Sequence, residues 1–323
     1  MLQAVLRLVY TEVPFQAVSE NMVALPQFLP LLAAAALTPL PAGLNEFSRV
    51  SGRAGALRTI RRAAAAAIGR ALADGVELLE VEFPPLLETK TQFDDFSNVE
   101  VLDANRDFGI QLALEPELRA AVGDDAAALW LCFADQGEAD LAREAWPGTL
   151  YGAATQTYIS AAVKALGREP LMPMGSSALA VAGALGSLFG AKPPPPSAPP
   201  PTARLQLVVQ PGDGGPMEDW LNLELLQQAG TPMLCLNGAL DKVTSGYYGN
   251  FLNPKLSRCA ERFFNRFEPV YYLKPVGSGR GWLFRVYGEA WQLYRQMKED
   301  LVICETYSLR PTPQTCVDRL KML

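Results

Sequence analysis

Apolar and polar positions alternate along the chain in blocks that read as helix, strand, helix, strand and helix. Residues 51–73 form an alanine-rich run in which Arg58, Arg61, Arg62 and Arg70 are interleaved with apolar positions. This predicts a helix ended by Asp74-Gly75. Over 76–83, Val76, Leu78, Val81 and Phe83 mark a strand that Pro84-Pro85 stops. Asp103 is placed to cap a helix over 104–122 carrying Phe108, Ile110, Leu112 and Leu114. Residues 127–133 are almost wholly apolar, as in a central strand buried on both faces. Residues 137–146 then predict another helix.

The alternation breaks over 151–190, which is rich in Ala, Gly, Ser and Leu and predicts helices at 158–166 and 177–189. Seven prolines in 192–201 follow; such a run cannot pack as helix or sheet and is expected as extended polyproline, as a spacer or a partner's ligand. The α/β pattern then resumes. Strands are expected at 204–209 and 232–236, with helices at 217–228 and 253–267. Residues 270–273 and 283–287 flank Gly277-Ser278-Gly279-Arg280-Gly281 and predict a hairpin. Edge strands are expected at 291–297 and 301–307, and a closing helix at 313–320. The whole reads as one α/β domain with a mixed, largely parallel sheet flanked by helices. It is discontinuous, 51–149 and 203–320, with a helical and Pro-rich insertion at 150–202 and an extension at 1–50.

Composition narrows the chemistry. Of 323 residues, 28 are Lys or Arg and 34 are Asp or Glu, a net charge of −6 that gives no electrostatic reason to expect nucleic acid as a partner. The chain contains no histidine, so a Ser-His-Asp or Cys-His catalytic unit cannot be built from it alone, nor a histidine-bearing zinc site. The five cysteines form no CxxC pair. Cys132 and Cys235 sit in apolar runs and read as small buried hydrophobes, and a reducing compartment fits best. The apolar stretches 29–40 and 178–189 are shorter than the roughly 20 residues a transmembrane helix needs, so no such segment is expected. Residues 1–50 carry Glu12, Glu20 and Glu46, whereas plastid transit peptides are poor in acids; transit peptide and mature extension both stay open.

Candidate motifs mostly reduce to local structure. Residues 186–192 approach a phosphate-binding loop, but the glycine spacing is wrong and Pro193 follows where a helix should start. Residues 212–215 lie between strand and helix, the right place for an anion, yet Asp213 would repel phosphate and a plain turn reads better. Asp94-Asp95, Asp124-Asp125 and Glu218-Asp219 have turn and cap explanations, and no metal site is assigned. The richest polar region follows the apolar run 232–236. A long loop over 237–252 is expected to leave the sheet at its carboxyl rim, where open α/β folds bind ligands. Asn237, Asp241, Lys242, Tyr247, Tyr248, Asn253 and Arg280 are assigned there as a partner- or ligand-binding set, Tyr247 and Tyr248 supplying contact area.

The run Gly75-Val76-Glu77-Leu78-Leu79-Glu80-Val81-Glu82-Phe83-Pro84-Pro85-Leu86 resembles the opening strand of a known family. Asp103-Ala104-Asn105-Arg106, Leu236-Asn237, Asn253-Pro254, Phe267-Glu268-Pro269-Val270-Tyr271, Arg285-Val286-Tyr287 followed by Trp291, and Arg310-Pro311-Thr312 resemble its later segments. The family is the plastid and cyanobacterial domain of unknown function that includes the photosystem II assembly factor low PSII accumulation three, and that is also fused to some plastid adenylate kinases. The resemblance covers 58–146 and 203–320 and carries no catalytic residues. It implies an accessory protein, not an enzyme, in the chloroplast stroma or at the stromal face of the thylakoid. Its implied partners are photosystem or thylakoid assembly proteins, and no cofactor is implied. Two alternatives stay open: a nucleotide- or phosphometabolite-binding regulatory module, and a hydrolase or transferase using Asp241 and Lys242.

Overall fold

The computed structural model describes residues 53–84, 99–146, 154–172, 202–212, 217–245, 253–297 and 301–322. The chain divides into two units, Met1–Ala42 and Gly43–Leu323, and all described residues belong to the second. Helix α1 (Arg53–Ala73) leads into β1 (Leu78–Glu82). Then come α2 (Val99–Ala113), α3 (Pro116–Val122), β2 (Leu129–Phe133), α4 (Gln136–Ala145), β3 (Thr155–Tyr158) and α5 (Ile159–Ala165). After these come β4 (Leu205–Val209), α6 (Met217–Leu226), β5 (Met233–Leu236), α7 (Leu240–Thr244) and α8 (Pro254–Arg262). The chain closes with β6 (Glu268–Val276), β7 (Gly281–Val286), β8 (Trp291–Gln296), β9 (Leu301–Tyr307) and α9 (Pro313–Met322).

The nine strands form one sheet in the order β3-β2-β4-β5-β1-β6-β7-β8-β9. From β3 to β6 every pairing is parallel; from β6 to β9 every pairing is antiparallel. The mixed, largely parallel α/β sheet expected from the sequence is therefore the fold. Strand alternation divides the core between two faces. Leu79, Val81, Leu131, Leu207 and Leu234 pack against α1 to α4. Leu78, Trp130, Cys132, Val208, Met233 and Cys235 pack against α5 to α8. On this second face α9 covers the antiparallel part through Cys316 and Leu320 against Tyr272, Leu283 and Leu293. β1, β2, β4 and β5 are buried along their whole length, which is why β2 and β5 read as apolar runs.

Several expectations are corrected. The helix expected over 104–122 is two helices, because Pro116 has no N–H to donate and opens a new helix at its first turn. Asp103 does not cap it: it lies inside α2, paired with Arg106 at 2.6 Å. The stretch expected as an insertion begins with sheet, since Thr155–Tyr158 pairs in parallel with β2. Its sequence, Thr-Gln-Thr-Tyr, is polar because it lies at the edge of the sheet and is only half-buried. The loop expected over 237–252 contains the short helix α7. The polyproline run, the helix expected at 177–189, the glycine run at 186–192 and Asp94-Asp95 lie outside the described residues.

Candidate functional site

β1 reads Leu78-Leu79-Glu80-Val81-Glu82, and its two glutamates point to the face shared with α7 and α9. A carboxylate on a strand buried on both sides needs partners, because desolvating its charge costs several kcal/mol. Glu80 is 1% exposed, and Arg310 answers it from the link between β9 and α9. Nη1 and Nη2 of Arg310 donate to the two Glu80 oxygens at 3.1 and 3.4 Å, a two-pronged pair. The guanidinium lies 4.5 Å from the centre of the Tyr272 ring and 5.4 Å from that of Trp291. Arg285, itself paired with Glu268 at 2.7 Å, approaches the same Trp291 ring at 5.3 Å.

Glu82 accepts from the Ala239 N–H at 3.2 Å and lies 3.9 Å from Lys274. Lys274 donates to both Asp241 oxygens, at 2.8 and 2.7 Å. Burial would raise Asp241, but Lys274, Arg310 and Lys242 together hold its carboxyl below the ordinary range. Burial raises Glu80 too, against the pull of Arg310. Burial also pushes Glu82 up to about 8, against the opposing charge of Lys274, with Asp241 and Glu80 adding repulsion. Three carboxyls and two cations thus share one desolvated pocket, in which burial favours the protonated form of Glu82.

This has a consequence for stability. The unfolded chain releases the Glu82 proton near pH 4.5, whereas the folded protein keeps it to about pH 8. Between those values the native state binds more protons, so the Glu82 contribution is complete at low pH and is lost as pH rises through the folded value. At about 1.4 kcal/mol per pKa unit the loss is on the order of 5 kcal/mol. Glu82→Gln should be close to neutral at pH 5 and stabilising relative to wild type at pH 9. Guanidinium unfolding midpoints across that range check this, and parallel wild-type and variant profiles would refute it.

Non-glycine residues in the left-handed region mark the carboxyl rim of the parallel strands. Gln210 (φ 44°) ends β4; Asn237 (φ 48°) and Ala239 (φ 48°) follow β5. Asparagine tolerates this region better than most residues, while glutamine and alanine adopt it at a cost. The turn aims the Asn237 side chain inward. Its Oδ1 accepts from the Phe83 N–H at 2.8 Å and its Nδ2 donates to Asn105 at 2.6 Å; Asn105 in turn donates to Gln210. The amide chain therefore ties α2, β1, β4 and β5 together on the α2 side of the sheet.

Of the residues assigned from sequence, Asn237 and Asp241 are brought to this rim. Lys242 lies next to Asp241 on α7, and Lys274, from β6, pairs with the Asp241 carboxylate at 2.7 Å. Asn253 precedes α8, its carbonyl accepting from Ser257 at 3.0 Å. Arg280 is exposed in the turn between β6 and β7, its main chain bonded to Gly277 and Gln296. Tyr247 and Tyr248 lie outside the described residues. Glu80, Glu82, Lys274 and Arg310 were missed as a group. The available signal was two glutamates at alternate positions of a strand otherwise apolar and closed by two prolines; carboxylates so placed are rarely buried without a basic partner.

Above Glu80 the second face opens into a groove of about 360 Å³. Trp291, Arg285 and Arg310 line it on the sheet side, Thr244 and Phe264 on the helix side, and Leu309, 79% exposed, stands at its lip. Among the described residues, no three Cys, Asp or Glu side chains are grouped so as to hold a metal ion, and no helix is long and apolar enough to cross a membrane. A family model described as a domain of unknown function, DUF1995, matches residues 56–318. No curated protein and no solved structure matches the chain.

Proposed function

The chain belongs to the DUF1995 family, and from that premise we propose that it is a non-catalytic accessory protein whose Trp291 groove holds a partner protein. The observation that carries this reading is the make-up of the groove. Two arginines approach one tryptophan ring, the residue types enriched at the energetic centres of protein interfaces, and a strongly exposed leucine stands beside them. Both arginines are already neutralised by Glu80 and Glu268 and the Trp291 ring is buried beneath them, so the groove offers guanidinium edges and the apolar contact of Leu309 more than free charge. The resemblance of the β1 run and of Arg310-Pro311-Thr312 to the family of low PSII accumulation three supports a setting in photosystem II assembly or maintenance, at the stromal face of the thylakoid.

The test uses the full chain as bait on solubilised thylakoids, beside Leu309→Asp. Wild type should retain photosystem II or insertase subunits, and the variant should retain at least about tenfold less, a change of roughly 1.4 kcal/mol. Leu309 is exposed, so the variant should keep the wild-type unfolding midpoint. Recovery of neither class of subunit, or equal recovery by both baits, would sink the proposal.

A second reading, a nucleotide- or phosphometabolite-binding module, draws on the left-handed turns at Gln210 and Asn237. They sit at the carboxyl rim of parallel strands, the usual ligand position in open α/β sheets. Ligand at about 100 times its dissociation constant should stabilise the fold by about 2.7 kcal/mol. No change in unfolding temperature with adenine nucleotides or sugar phosphates would remove this reading.

A further inference from the structure

A second groove, of about 390 Å³, lies between α6 and α8 and is separate from the Trp291 site. Leu221, Glu224 and Leu225 form its α6 wall, at the spacing of one helix face. Lys255, Arg258 and Arg262 form its α8 wall, and all three are exposed. Leu171 makes the lip, and its main chain is clamped on both sides by one fully buried side chain. Asn222 Oδ1 accepts from the Leu171 N–H at 2.7 Å, and Asn222 Nδ2 donates to the Leu171 carbonyl at 2.9 Å. Arg168 adds a hydrogen bond to the Gln227 carbonyl at 2.8 Å and another to that of Leu225. The lip is therefore built against the end of α6, with little ordering left for a partner to impose.

The charges are uneven. The groove's single carboxylate, Glu224, is closed by a two-pronged pair with Arg262. Lys255 and Arg258 carry no ion pair among the described residues; the Arg258 Nε donates only to the Pro254 carbonyl at 3.2 Å. Two uncommitted cations beside three leucines, on a chain of net charge −6, form a local reversal of sign.

We propose that this groove takes an acidic segment of a partner protein, one bulky apolar side chain entering among Leu171, Leu221 and Leu225 while flanking carboxylates meet Lys255 and Arg258. A bilayer fits less well, because the leucines line a concavity that a membrane surface cannot enter. The chain's own segment 173–201, which starts just past the lip, contains no Asp or Glu and cannot supply the carboxylates. The Trp291 proposal can fail without affecting this one, since the two grooves share no lining residue.

The test is fluorescence polarisation of the full chain with a labelled peptide of alternating Glu and Leu with a central Phe, a matched peptide with Lys for Glu, and phosphatidylglycerol vesicles. Wild type should bind the acidic peptide, with affinity falling as salt rises. The double variant Lys255→Glu/Arg258→Glu should bind it at least about tenfold more weakly and should gain the lysine peptide. Leu171→Asp should also weaken the acidic peptide, and unchanged circular dichroism would show that both variants fold. The proposal is overturned if the acidic peptide does not bind, if it binds the charge-reversed variant equally, or if vesicles bind and the peptide does not.

Discussion

Replacing Arg310 with alanine should cost on the order of 3–5 kcal/mol of folding stability at neutral pH, the range for removing one partner of a buried ion pair. The cost is borne by what is left behind. Glu80 sits on a central strand between β5 and β6, almost without solvent, and Arg310 makes both of its charge-assisted hydrogen bonds. The guanidinium also covers the Tyr272 ring, so the variant loses packing as well. The penalty should shrink toward pH 5, because an uncompensated Glu80 can take up a proton, a direction its raised pKa already shows. The double variant Glu80→Gln/Arg310→Met should recover most of the loss, since it leaves no buried charge. Equilibrium unfolding in urea at two pH values checks all three statements. A loss under about 1 kcal/mol, or a double variant no better than the single, would show that the pair is not desolvated as described.

The second large effect is at the sheet-facing side of α6. Trp220 is 1% exposed and fills the space among α6, β4 and β5, and its Nε1–H donates to the Gly238 carbonyl at 3.1 Å. A Cβ at Gly212 would fall 2.7 Å from the indole, so Gly212 is required there both for its left-handed φ of 73° and for the close approach of the ring. Trp220→Ala should lower stability by about 3–5 kcal/mol through the cavity it opens. Trp220→Phe should recover the larger part and keep a deficit of about 1–3 kcal/mol for the Gly238 carbonyl left without its donor. Calorimetry on the three proteins checks the order. If phenylalanine and alanine cost the same, the cavity argument fails.

Both effects arise where a side chain from one element answers a group on another, and this divides what the chain alone reveals from what it does not. Elements built on local signals were legible: the alanine run of α1 ended by Asp74-Gly75, the apolar strands β2 and β5, and the hairpin around Gly277-Ser278-Gly279. Their signals are periodicity, turn chemistry and helix termination, all contained within a few residues. β3 was not legible, because an edge strand need not be apolar, and Pro116 was passed over inside an otherwise helical pattern.

The candidate site follows the same division. Asn237 and Asp241 were reachable because they follow a recognisable buried strand, and the rule that ligands gather at carboxyl rims is local in effect. The pairing of Glu80 with Arg310 spans 230 residues and that of Glu82 with Ala239 spans 157, so neither leaves a spacing to read. Composition and short-range period decide the α/β class and the parallel core, and with no histidine in the chain no histidine-based unit can be built from it alone. Folding is what turns the glutamates of β1 inward, brings Arg310 and Arg285 onto Trp291, and sets Lys255 and Arg258 beside a leucine groove. Which charges are desolvated and paired depends on where distant strands and loops meet, and that is a property of the assembled sheet.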